Sequence, residues 1–211
     1  MSAFTSITLF IIYLNVPAVL VREFGLPFFM GALLPLALLI PFGHRILIEK
    51  APIRLPGLLI VALVLVLVHS ISALVSIRPH DSLSVVMDWA LEGVLLAILI
   101  ANVIRTKAEM IAAVNAVIGA GCVMGLIVLF QQISGLTDNN FFGFGQLDAQ
   151  LMDADGQTQR RLAGPIGETN RFAQIMAVLI PLSVAMATVS RGLTRVLYWG
   201  AAIVITAGMA L

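Results

Sequence analysis

Long apolar runs, separated by short charged or turn-rich clusters, decide what this 211-residue chain can fold into. A helix needs roughly 20 mostly apolar residues to cross a bilayer, because lipid offers no partner to an unpaired backbone amide. Such runs fall at about 4 to 21, 25 to 42, 57 to 76, 84 to 104, 110 to 133, 171 to 190 and 195 to 211. The expected class is therefore all-α: a polytopic membrane protein with about seven transmembrane helices forming one domain over 1–211. A long extracytoplasmic loop is expected at 134–170. The seventh run stops at Leu211 in mid-run, as the front part of a longer protein would.

Composition supports the class, with 60% hydrophobic and 11% charged residues against about 25% charge in soluble domains. A net charge of +1 gives no reason to expect nucleic acid. Cys122 is the only cysteine, which excludes an internal disulfide and cysteine-rich metal sites. No Lys or Arg precedes Arg22 and further spans follow, so a cleavable signal peptide is not expected.

Orientation follows from the placement of Lys and Arg. With a cytoplasmic N-terminus, the inner connections carry Arg45, Lys50, Arg54, Arg105, Lys107, Arg191 and Arg195. The outer side carries Arg22, Arg78, Arg160, Arg161 and Arg171, and the long loop adds the acids Asp138, Asp148, Asp153, Asp155 and Glu168. On this topology His69, Asp88, Glu92, Gln131, Gln132 and Gln174 lie in the outer halves of spans, while Asn102 and Asn115 lie toward the inside. Polar groups in lipid face other helices or a wet cavity, so a cavity opening outward accounts for the pattern. Asp88 and Glu92, four apart, share a helix face. They read either as vestibule groups or as a pair neutralised by a neighbouring arginine, and His69 either as a vestibule group or as a helix–helix hydrogen bonder.

Other features read as structural. Gly121 and Gly125, preceded by Gly119, have the spacing that lets membrane helices approach closely. Pro35 and Pro181 should kink the spans that contain them. Phe141, Phe142 and Phe144 read as residues resting at the membrane interface. Asp153-Ala-Asp155-Gly156 fails as a calcium loop, because the first and twelfth ligand positions are Leu151 and Leu162. No zinc spacing is present, and no cofactor or metal is expected.

The most polar and turn-rich stretch runs from Arg160 to Gln174 and opens onto an apolar run. Arginine offers a permanently charged, forked donor that matches phosphate geometry, and a place beside the bilayer suits the diphosphate of a lipid carrier. Arg161 is the first candidate, with Arg171 and Arg160 beside it. Asn170 reads as an N-cap whose helix would present free amides to the same region. The competing reading pairs these arginines with loop acids or lipid headgroups.

Arg161-Leu-Ala-Gly164-Pro-Ile-Gly167-Glu-Thr-Asn170-Arg-Phe-Ala173, leading into an apolar helix with Pro181, resembles the Arg-x-x-Gly and Asn-x-x-Ala pattern of the O-antigen ligase and O-antigen polymerase superfamily. Ser76, Pro79 and Ser82 between two spans, then Arg105-Thr-Lys107 and the run ending Leu129-Phe-Gln131-Gln-Ile-Ser-Gly135, are similar to the same layout. Where many members have proline before the asparagine, this chain has Thr169. The resemblance covers roughly 57–190. It implies a metal-independent glycosyltransferase of the bacterial inner membrane, moving a glycan from undecaprenyl diphosphate to an acceptor glycan or lipid A core. It implies a carrier-binding role for Arg161 and assigns no catalytic residue here, since the family's transferring residues lie in a later outer loop. The competing class is a transporter or channel in which Asp88, Glu92 and His69 line a proton or solute path.

Overall fold

The computed structural model describes residues 2–27, 35–136, 139–148, 151–152, 158–159 and 161–211. These residues are mostly helical and belong to two packing units. One comprises Met1–Thr5 with Pro35–Met110, the other Ser6–Leu34 with Ile111–Leu211.

In the first unit, α3 (Leu39–Gly43) continues into π-helical turns at His44–Ile48, and α4 (Gly57–Leu74) follows. Next, α5 (Pro79–Asp88) runs through π-helical turns at Trp89–Leu95 into α6 (Leu96–Val103). Pro79 opens α5 because its missing amide has no intrahelical partner there anyway. Only Leu59 and Ala73 of α4 are buried, and its exposed positions from Gly57 to Val68 are all apolar, as on a helix facing lipid. Asn102, fully buried, staples an extended segment to α6. Its Oδ1 accepts from the Arg54 amide at 2.7 Å and its Nδ2 donates to the Arg54 carbonyl at 2.9 Å. Arg105 donates to the carbonyls of Pro52 and Asn102. Helix α7 (Lys107–Ser134) starts on a capping box, in which Glu109 accepts from the Thr106 amide while its own amide donates to Thr106 Oγ1. Arg45 pairs with the same Glu109 carboxylate.

The second unit holds α1 (Ser2–Tyr13) from Ser6, α2 (Val16–Phe24), α7 from Ile111, α8 (Thr169–Val189) and α9 (Leu193–Met209). Ala113, Ala120, Met124, Val128 and Gln131 recur every three to seven residues along α7 and are buried on one stripe. Met176, Leu179, Ser183 and Ala187 of α8, with Ala201, Ile205 and Gly208 of α9, supply the facing stripes. The glycine pair works by close approach. A Cβ at Gly125 would lie 2.9 Å from the Val204 carbonyl oxygen, one at Gly208 would lie 2.7 Å from Gly125 Cα, and one at Gly121 would run into Leu179.

Among the described residues four helices are long and apolar enough to cross a membrane: Gly57–Leu74, Pro79–Val103, Lys107–Ser134 and Thr169–Val189. A fifth span exists if α1 and α2 count as one. The structure thus supplies four or five of the seven expected spans. Of the run expected at 25–42, residues 28–34 lie outside the described residues, and Leu39–Ile48 and Leu193–Met209 are shorter apolar helices. The run expected at 4–21 is broken, with α1 and α2 bent by 53°. Pro17 lacks the amide that would bond back to Tyr13, and Asn15 adopts the left-handed conformation at φ 58°. Pro181, by contrast, lies inside an uninterrupted α8.

The connection after α7 carries short strands that an all-α reading did not anticipate. A single 3₁₀ turn, Phe141–Gly143, precedes β1 (Gln146–Leu147), which pairs antiparallel with β4 (Leu162–Gly164). Inside that pair, β2 (Leu151–Met152) pairs with β3 (Thr158–Gln159). The phenylalanines divide their roles. Phe142 points outward, Phe141 rests edge-on against Phe130 with ring centres 5.8 Å apart, and Phe144 packs against the core, which corrects its interfacial reading.

Candidate functional site

The Arg161–Gln174 stretch is a buried turn with polar residues exposed on either side. Leu162, Ala163 and Pro165 are buried, and two glycines permit the chain to reverse. Gly164 sits at φ 55°, where a Cβ would meet the Phe172 ring at 2.7 Å; Gly167 sits at φ 79°, where one would meet Gln146 Oε1 at 2.6 Å and Arg22 Nη1 at 2.9 Å. The Pro165 carbonyl accepts from Asn15 Nδ2 at 3.0 Å and from Arg22 Nη2 at 3.4 Å. Asn15, which precedes α2, and Arg22 within it thus converge on one carbonyl of the turn.

Arg22 also donates to the Gly143 carbonyl at 3.3 Å and pairs with Glu23 at 3.4 Å. Glu23 in turn accepts from Asn140 Nδ2 at 2.9 Å and Gln146 Nε2 at 3.0 Å. Fully buried Gln131 donates to the carbonyls of Asn139 at 2.8 Å and Gly145 at 2.7 Å, and its Oε1 has no partner among the described residues. Arg22, Glu23 and Gln131 thus hold both arms of the connection, a role that nothing in their sequence neighbourhoods announced. The Asn15-Val-Pro17 sequence does carry a turn signal.

Arg161, Asn170 and Arg171 lie in this unit with exposed side chains. Neither guanidinium has a hydrogen-bond or ion-pair partner among the described residues, and Arg160 lies outside them. The capping assignment is corrected: α8 begins at Thr169, which places Asn170 inside the first turn. The cap comes from across the loop, where Asp148 Oδ2 accepts the Thr169 amide at 2.8 Å. A carboxylate is favoured there by the positive end of the helix dipole, so that end already meets an internal anion. The Asp148 amide donates to the Arg161 carbonyl at 2.9 Å.

His69, Asp88 and Glu92 belong to the other unit. His69 Nδ1 lies 2.7 Å from the Leu65 carbonyl of its own helix, and its ring centre is 5.4 Å from that of Trp89. Asp88 is exposed and pairs with no arginine among the described residues, which departs from the expected neutralised pair. Glu92 falls in the π-helical turns, and its side chain is not among those described. Among the described residues no three of His, Cys, Asp and Glu gather as a metal site.

Fold and site define a class: a mostly helical protein with, among the described residues, four or five apolar helices able to span a membrane and an arginine-bearing connection between two of them. No protein family, curated protein or solved structure matches the chain.

Proposed function

We propose that the chain is the N-terminal part of a glycosyltransferase of the O-antigen ligase or polymerase kind. In this reading Arg161 and Arg171, with Arg160 beside them, bind the diphosphate of an undecaprenyl-linked glycan at the outer face of a bacterial inner membrane. The supporting observation is the division of labour among the arginines. Arg22, Arg45 and Arg105 are committed to carbonyls and carboxylates, whereas the guanidiniums of Arg161 and Arg171 are exposed and without a partner among the described residues. Arg54, Arg78, Arg191 and Arg195 are exposed too, but none of them adjoins the Gly164–Gly167 turn in the chain. Arg161 and Arg171 flank a turn that is gripped by α2 and tied down by Asp148.

Forked, fixed donors beside a bilayer match a diphosphate and stabilise the charge it gains as a leaving group. In the transfer, the acceptor hydroxyl, on a glycan or the lipid A core, attacks the anomeric carbon. The carbon–oxygen bond to the diphosphate breaks, undecaprenyl diphosphate leaves, and the hydroxyl proton passes to a base. No catalytic residue is assigned within these 211 residues. In cells making the protein from its whole reading frame, Arg161→Ala is expected to abolish glycan transfer while membrane insertion stays normal; unchanged transfer removes Arg161 from the site.

One observation favours the transporter or channel reading instead: Asp88 is exposed, without an ion-pair partner among the described residues, on the apolar Pro79–Val103 helix and next to its π-helical turns. Uptake driven by a pH gradient and lost in Glu92→Gln would decide for it.

A further inference from the structure

We infer that Asp148 is the positioning residue of the arginine pair, fixing the segment that carries Arg161 against the helix that carries Arg171. This rests on the diphosphate-binding reading above. The geometry is a two-ended tie. The Asp148 amide donates to the Arg161 carbonyl at 2.9 Å, and its carboxylate accepts the Thr169 amide at 2.8 Å, two residues before Arg171. Between the two attachment points lies the Gly164–Gly167 turn, whose Pro165 carbonyl is held by Asn15 and Arg22. Without the carboxylate end, α8 keeps its chain connection to that turn and the packing of Phe172 against Gly164, and the angle between Arg161 and Arg171 loses its polar restraint.

The bond to the Thr169 amide needs an accepting oxygen rather than a charge, and a negative charge itself opposes an anionic ligand. Asparagine retains an oxygen that can accept the Thr169 amide and removes the charge. Positioning therefore predicts that Asp148→Asn is tolerated and Asp148→Ala is not. A proton-transferring carboxylate predicts the loss of transfer in both.

The test uses the whole chain in lipid nanodiscs with Cys122→Ala, Arg161→Cys and Arg171→Cys, a nitroxide on each introduced thiol, and pulsed electron resonance to measure their separation. Asp148→Ala is expected to broaden the distance distribution, Asp148→Asn to leave it narrow, and Asp148→Ser to fall between. An alanine variant as narrow as the parent, or an asparagine variant as broad as alanine, overturns the proposal. With the native arginines restored, binding of farnesyl diphosphate is measured against farnesol. Asp148→Ala is expected to weaken it about five- to tenfold, the ratio equivalent of a lost helix cap, and Asp148→Asn to leave it unchanged or tighter. If the unsubstituted chain does not bind farnesyl diphosphate, the diphosphate reading fails, and the spin-label distances still decide the role of Asp148.

Discussion

Replacing Gly125 with alanine tests the close helix contact at the centre of the second unit. Alanine is favoured over glycine by about 0.8–1.0 kcal/mol in a helix interior. At Gly200 of α9 that gain is unopposed, because an added Cβ meets nothing within 4 Å. At Gly125 the same atom lies 2.9 Å from the Val204 carbonyl oxygen and 3.2 Å from Val204 Cγ1. Carbon normally meets a carbonyl oxygen at about 3.3 Å or more, so α7 and α9 must part by several tenths of an ångström. Overpacking of that kind costs about 1–3 kcal/mol. Gly200→Ala should therefore stabilise by about 1 kcal/mol, while Gly125→Ala should range from neutral to about 2 kcal/mol destabilising once the propensity gain is subtracted. Gly121→Ala should cost less than Gly125→Ala, because its obstacle is the end of the Leu179 side chain rather than backbone. Titrating the protein in mixed micelles with a denaturing detergent, and following the fluorescence of Trp199 on α9 in a Trp89→Phe background, gives the three midpoints. A Gly125→Ala midpoint equal to that of Gly200→Ala would refute the reasoning.

Two further substitutions probe how the connection is held. Arg22→Ala removes bonds to the Gly143 and Pro165 carbonyls. At about 1 kcal/mol for each bond, and with little from the half-exposed Glu23 pair, it should speed proteolytic cleavage within 139–167 several-fold while shifting the global midpoint slightly. Gln131→Leu leaves the carbonyls of Asn139 and Gly145 without their buried donor, which should destabilise by about 1–3 kcal/mol in the same detergent titration.

Much of the site was hidden from a reading along the chain, and the reason is separation. Arg161, Asn170 and Arg171 could be singled out because arginine, glycine and proline stand together beside an apolar run. What folding does with that stretch depends on Asn15 and Arg22, which meet Pro165 across 150 and 143 positions. Asp148 looked like one more loop acid, yet β1 delivers it to the start of α8. Asn170 fitted the preferences for a cap, but a carboxylate arriving from another segment took that role.

The sequence by itself determined the class. Apolar runs of this length cannot be hidden in a core so small, and in lipid they can only be helices. It also determined the glycine contact of α7, because residues without side chains at that spacing admit a neighbouring backbone. Tertiary structure decided the rest: the break before Pro17, the strands within the connection, and which arginines are committed and which remain uncommitted. Those outcomes turn on pairing between distant polar groups, and each such group has several partners of equal chemistry until packing brings one of them within 3 Å.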